Sequence, residues 1–213
     1  MNRSTFRKLP PTTEVSIIDQ LSKELASAFS KDPLARAILG EWPSCTSNLA
    51  REFFRLHLLS GLEDGNVFVV GETSSVEGVA VVFGVGKDMN MESPEWQAFL
   101  NNLPSKTRSG THQSFNLQYR DFVGRAYGCD HQLKSLYLLL LGVRPSSQEK
   151  GLGTELFRGV QARAEDLDVD LCWQTTTAPE FYRKLGFKAI SDTIYGNEQG
   201  NVRQWAYLDK KII

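Results

Sequence analysis

The stretch Leu136 to Phe157, LYLLLLGVRPSSQEKGLGTELF, constrains this chain more than any other. Its unbroken apolar run, Leu136 to Gly142, falls well short of the roughly 20 residues that span a bilayer, so it reads as a buried strand. Pro145, Ser146 and Ser147 end that strand, and Gly151 and Gly153 permit backbone angles closed to other residues. Leu152, Leu156, Phe157, Val160, Ala164 and Leu167 then recur at helical spacing. The unit is strand, tight loop, helix. The first N–H groups of a helix lack intrahelical partners and lie at the positive end of its dipole, so a glycine-containing loop there suits a phosphate.

Spacing narrows the kind of phosphate loop. No glycine is followed five positions on by Gly-Lys and then Ser or Thr, so the chain carries no P-loop. The dinucleotide fingerprint fails at its third glycine, because Gly151-Leu152-Gly153-Thr154-Glu155 continues to Leu156. Nucleoside triphosphatase and Rossmann readings both drop out.

The remaining chain supplies the frame. A length of 213 residues suits one domain, and 24 basic against 25 acidic residues leave no global field for nucleic acid or an anionic membrane. The expected partner is small or locally recognised. Cys45, Cys129 and Cys172 are odd in number and show no metal-ligand spacing, so neither a disulfide nor a metal site is expected. The N-terminal residues are basic without an apolar core, which predicts no secretory signal and a cytoplasmic location.

In chain order, a short strand over Thr5 to Leu9 precedes a helix capped by Thr12 or Thr13, with Val15, Ile18, Leu21 and Leu25 on one face. Asp32-Pro33 marks a second helix start. A third helix follows Trp42-Pro43, and its His57 reads as a packed helix histidine because nothing near it in sequence completes a site. Strands over Asn66 to Val70 and Val76 to Val85 form a hairpin. Between Lys87 and Lys134 two helices interrupt the strands, the first opened by Ser93-Pro94-Glu95. After the central unit come a strand from Leu171 to Thr176, a short helix from Pro179 to Leu185 and a closing pair over Phe187 to Tyr195 and Val202 to Leu208. The predicted fold class is α+β, a mixed, mostly antiparallel central sheet flanked by helices.

Gln148-Glu149-Lys150-Gly151-Leu152-Gly153 matches the pattern Gln or Arg, two residues, Gly, one residue, Gly or Ala. Downstream, Ala178-Pro179-Glu180-Phe181-Tyr182-Arg183-Lys184-Leu185-Gly186-Phe187 is a short helix ending in a tyrosine and a Gly-Phe pair. Together, in this order, the two segments resemble the GCN5-related N-acetyltransferase (GNAT) superfamily, closely over Leu136 to Phe187 and by element order elsewhere. The resemblance implies one GNAT-like domain over residues 1–213, with a helical insertion at about 87–134.

It also implies acetyl-CoA as donor, with the backbone of Gln148, Glu149, Lys150, Gly151, Leu152, Gly153 and Thr154 holding the pyrophosphate. Pantetheine would lie along Leu141 and Val143, the Val143 N–H facing the thioester oxygen, a role worth up to about 3 to 4 kcal/mol in the transition state. Tyr182 is the candidate general acid for the departing thiolate, with packing over the donor as the alternative. Two departures stand out. Thr175 occupies a position where the family often has Asn, and the central strand at Leu138 to Leu140 has no glutamate base. Asp32, Glu41, His112, Asp130, His131 and Glu180 are the candidates to take the amine's proton.

The expected reaction is therefore direct transfer of acetyl, in a ternary complex, to the primary amine of a small molecule. A protein or peptide N-acetyltransferase is the alternative, and a CoA-binding module without catalysis is the alternative of another class. The inserted aromatics Trp96, Phe99, Phe115, Tyr119, Phe122 and Tyr127 either line the acceptor pocket or pack on the sheet or in a homodimer contact.

Overall fold

The computed structural model describes residues 6–39, 48–72, 75–104, 112–197 and 200–211, and at 72, 75, 112–116, 196–197 and 200 the backbone alone. Thr5, Glu41, Trp42, Pro43 and Cys45 lie outside these residues, as do the side chains of His112 and Phe115.

Seven strands form one sheet: β1 (Arg7–Lys8), β2 (Asn66–Glu72), β3 (Ser75–Phe83), β4 (Leu136–Val143), β5 (Leu171–Thr175), β6 (Ser191–Asn197) and β7 (Gly200–Asp209). The spatial order is β1-β2-β3-β4-β5-β7-β6. Every neighbouring pair is antiparallel except β4 and β5. That parallel pair needs a crossover, which α6 (Leu152–Asp166) supplies. The predicted mixed, mostly antiparallel sheet is what the chain forms.

Helices cover both faces. On one side α1 (Val15–Ala28), α2 (Pro33–Leu39), α3 (Asn48–Glu63), α4 (Pro94–Asn102) and α5 (His112–Tyr127) pack over residues such as Val67, Val81, Tyr137 and Leu140. On the other, α6 and α7 (Pro179–Lys184) cover Val82, Leu138 and Trp173. Leu156, Phe157 and Val160 of α6 are fully buried, each worth roughly 1.5 to 3 kcal/mol by removal from water. The apolar run of β4 is explained by this sandwiching, since both its faces meet helices.

Local signals account for the helix ends. Asp32 Oδ1 accepts from Ala35 N at 2.8 Å and caps α2, with Pro33 as the first helical residue, and Ser93 Oγ accepts from Trp96 N at 3.3 Å at the start of α4. α1 departs from expectation. It starts at Val15 with no side-chain cap, because the Thr13 hydroxyl donates back to Pro10 O at 2.6 Å in the preceding turn. Phe187 also departs, lying outside β6. Gly186 (φ 98°) ends α7 with Gly186 N to Arg183 O and Phe187 N to Tyr182 O, a Schellman closure that turns Phe187 onto Phe157 and Trp173.

Candidate active site

Two irregularities of β4 open the site. Pairing with β3 runs Val81 to Leu140 and then Val82 to Leu138, so Leu139 is an extra, bulged residue. The bulge puts both Leu139 and Leu140 on the α1 and α3 side of the sheet. Pairing with β5 covers only Leu136, Tyr137 and Leu138, after which the two parallel strands separate. Beyond the split, Arg144 N donates to Glu77 O at 2.8 Å, which places the even-numbered residues in the bonded register with β3. Alternation then turns the N–H groups of Leu141 and Val143 away from β3, toward the gap. Gly142 is needed there because a Cβ would lie 2.8 Å from Leu25 and 2.9 Å from Phe29, side chains that close over the strand end.

The loop at the mouth of the gap is braced from below. Ser147 Oγ donates to Glu77 Oε1 at 2.7 Å, and Gln148 Nε2 donates to Val143 O at 3.1 Å. Glu149 (φ 62°) and Gly151 (φ 84°) both take left-handed backbone, and the first α-helical bond runs from Glu155 N to Gly151 O at 3.0 Å. The N–H groups from Gly151 to Thr154 are therefore left without intrahelical partners, as an anion-holding helix start requires. A Cβ at Gly153 would meet only ordinary contacts, 3.6 Å to Phe181, so protein packing does not demand the glycine and the surface stays low for a ligand. These features fit the pyrophosphate of a CoA thioester.

A cavity of about 770 Å³ runs from this loop to the buried aromatic wall under α3 and α4. Leu141, Val143, Gln148, Glu149, Gly151, Gly153 and Thr154 line it, together with Thr175 and Tyr182. Two residues of the loop contribute no side chain to the cavity, which leaves their expected main-chain role untouched. Leu152 turns its side chain into the core, leaving only its N–H on the loop, and the Lys150 side chain is exposed and off the cavity wall. The Gln148 amide holds Val143 O through one of its two N–H groups. Thr175 Oγ1 accepts from Ala178 N at 3.1 Å and keeps its own O–H to donate.

Tyr182 packs among Phe157, Trp173 and Tyr207, 5% exposed, and its hydroxyl has no hydrogen-bond partner among the described residues. Burial first, and Tyr207 second, push its pKa above the ordinary value of 10, so the phenol keeps its proton and can donate.

The central strand offers no acid to the cavity: Leu139, Leu140 and Leu141 line it. Of the proton-acceptor candidates whose side chains are described, Asp32 alone lines the cavity. Glu180 pairs with Arg183 at the surface, Asp130 occupies an exposed turn (φ 60°), and His131 Nε2 faces Asp170 at 3.3 Å. Asp32 is 7% exposed. Its Oδ2 accepts from Thr176 Oγ1 at 2.5 Å, and burial outweighs its hydrogen bonds to raise the carboxyl above the ordinary 3.8.

The aromatics of α4 and α5 divide between two roles. Trp96 and Tyr119 line the cavity, whereas Phe99 and Phe122 are buried in the core and Tyr127 donates to Trp173 O at 2.6 Å. Tyr119 belongs to a polar network that adjacent sequence positions do not announce. Tyr137 Oη donates to Gln174 Oε1 at 2.9 Å, Tyr119 Oη lies 3.0 Å from Tyr137 Oη, and Gln174 Nε2 donates to Tyr127 Oη at 3.0 Å. His57, expected only to pack, also lines the cavity, with its Nδ1 2.7 Å from Phe53 O.

The acetyltransferase (GNAT) domain family matches residues 94–199, the segment containing both the glycine loop and Tyr182. This chain belongs to the GNAT superfamily. Solved GNAT structures extend the likeness over the whole fold. Arylalkylamine N-acetyltransferase 2 from Aedes aegypti superposes with a TM-score of 0.68 at 18% identity, covering 99% of this chain and 100% of that one. The Drosophila melanogaster polyamine N-acetyltransferase that forms N-acetylagmatine gives 0.64 at 18% identity, covering 98% and 100%. A Corynebacterium glutamicum structure described as histone acetyltransferase HPA2 and related acetyltransferase gives 0.65 at 17% identity, covering 99% and 97%. No curated protein sequence matches the chain at a significant level. Among the described residues, no helix is long and apolar enough to cross a membrane, and no three His, Cys, Asp or Glu side chains form a metal-ligating group.

Proposed function

We propose that this GNAT protein is an acetyl-CoA-dependent N-acetyltransferase, acting as one cytoplasmic domain with a helical insertion, whose acceptor is the primary amine of a small molecule. The observation that carries the reading is the single cavity joining the glycine loop and the β4–β5 gap to a buried chamber that contains Asp32. Both substrates would then meet inside one space, which suits direct transfer in a ternary complex. The apolar, enclosed acceptor side fits a small amine better than an extended peptide.

Bound acetyl-CoA supplies an activated acyl group and a thiolate leaving group. The free N–H groups of Gly151 to Thr154 hold its pyrophosphate, and the Leu141 and Val143 N–H groups face its pantetheine arm and thioester. The Val143 N–H stabilises charge on the carbonyl oxygen. Asp32 takes the ammonium proton, directly or through one water, and its raised pKa matches that task better than a solvated aspartate. The Tyr182 O–H donates to the departing sulfur.

Thiol release from acetyl-CoA, measured across small primary amines and across lysine and N-terminal peptides, tests this proposal. Turnover confined to small amines supports it. Turnover confined to peptides points to a protein acetyltransferase, and tight donor binding without turnover points to a binding module.

A further inference from the structure

His57 is the polar group on the buried aromatic wall whose chemistry is left unused by the proposed transfer. It sits on α3, 6% exposed, with ring contacts to Phe53 (4.4 Å) and Trp96 (5.1 Å). A backbone carbonyl can only accept, so the 2.7 Å contact with Phe53 O fixes the proton on Nδ1. That bond turns the Nδ1 edge toward the helix backbone and the opposite edge away from it, toward the cavity that His57 lines. Nε2 is thus a hydrogen-bond acceptor with no partner among the described residues. Nε2 keeps its access to the cavity, where a ligand donor can reach it.

The neighbours specify what kind of donor. Phe53, Phe54 and Trp96 surround the imidazole with ring faces and edges, a setting for a planar apolar group. Burial lowers His57 to about pKa 4, so the imidazole is neutral at neutral pH and its Nε2 lone pair is available to a donor. A second cation at this end would need a carboxylate beside it. Apart from Asp32, the carboxylates on the cavity wall among the described residues are Asp88, whose pKa burial raises and whose charge acts on Tyr119, and Glu149, in the donor loop, and neither acts on His57.

Resting on the amine-acetyltransferase reading above, we propose that His57 is an acceptor-specificity residue: its Nε2 receives a hydrogen bond from a ring hydroxyl or ring N–H of an aromatic amine. The rest of the ring lies against Phe53 and Trp96. An amine whose far end is aliphatic or cationic leaves Nε2 unsatisfied and is acetylated less efficiently.

The test compares kcat/KM for the ring-hydroxylated phenethylamines, for phenethylamine itself and for a linear diamine, in the wild-type protein and in His57→Phe and His57→Gln. CoA affinity, measured by calorimetry, reports folding of each variant. The wild type should favour at least one hydroxylated amine over phenethylamine by about tenfold, the scale of one buried hydrogen bond. His57→Phe should erase that preference while leaving phenethylamine turnover within about threefold, and His57→Gln, whose amide oxygen can accept, should restore part of it. An unchanged preference in His57→Phe, or a diamine used better than every aromatic amine, would overturn the proposal while leaving the acetyltransferase reading standing. Turnover of no amine at all overturns both.

Discussion

Thr176 Oγ1 donates to Asp32 Oδ2 across 144 positions of sequence, joining the loop after β5 to the N-terminus of α2. The bond fixes the carboxylate on the wall of the cavity and opposes the rise in pKa that burial imposes. Thr176→Val removes the donor, so Asp32 should rise further from 3.8. A base works in its unprotonated form, so the acid limb of kcat/KM should move to higher pH in this variant. The pH–rate profile checks this, and a limb that stays in place would separate Asp32 from the proton transfer.

Tyr182→Phe should lower turnover on the order of a hundredfold, with little change in donor affinity. The hydroxyl has no partner among the described residues, so its loss should cost little stability. Single-turnover rates and CoA calorimetry on the same preparation distinguish these effects. Near-normal turnover would reduce Tyr182 to packing among Phe157 and Trp173.

His57 should make the protein sensitive to acid. Its pKa falls from 6.5 to about 4, first through burial, with the Phe53 bond opposing. The folded state therefore binds the proton less readily than the unfolded chain, and stability is complete above 6.5 and lost as pH falls toward 4. At pH 5 the loss is on the order of 2 kcal/mol, roughly 4 to 8 °C in Tm for a chain of this size. Thermal melts at pH 7.5 and 5 should show that excess drop in the wild type and not in His57→Phe.

Gly151→Ala places a Cβ on left-handed backbone (φ 84°) just where α6 begins. The strain should cost about 1 to 2 kcal/mol, and any relaxation of the loop would re-aim the free N–H groups. We expect weaker acetyl-CoA binding with a smaller change in kcat at saturation. Calorimetric titration against the wild type measures the shift.

Much of the proposed donor side was legible in the sequence because its determinants are local. Gly151, the helix after it, and the turn from Tyr182 to Phe187 each use chemistry that lies within a few residues. Gln148 shows the limit, since its amide serves Val143 O, a partner set by how the loop folds back. The proposed acceptor side was less legible. His57, Tyr137, Gln174 and Asp32 come from α3, β4, β5 and the start of α2, and only the sheet order and the bulge at Leu139 bring them to one cavity. Asp32 announced itself as a helix cap, and that role is real; its second position, on the cavity wall, is a tertiary fact.

Asp32→Asn offers the most direct test of the account, because asparagine caps a helix about as well as aspartate but cannot take the ammonium proton. The measurement is the rate of N-acetyl amine formation, by mass spectrometry, at saturating acetyl-CoA with the best small amine, in wild type and variant. Wild type should form product in equal amount to released thiol. Asp32→Asn should be at least about a hundredfold slower, with an unchanged melting temperature and CoA affinity. An Asp32→Asn protein as fast as wild type, or a wild type that binds acetyl-CoA yet acetylates no small amine, would contradict it.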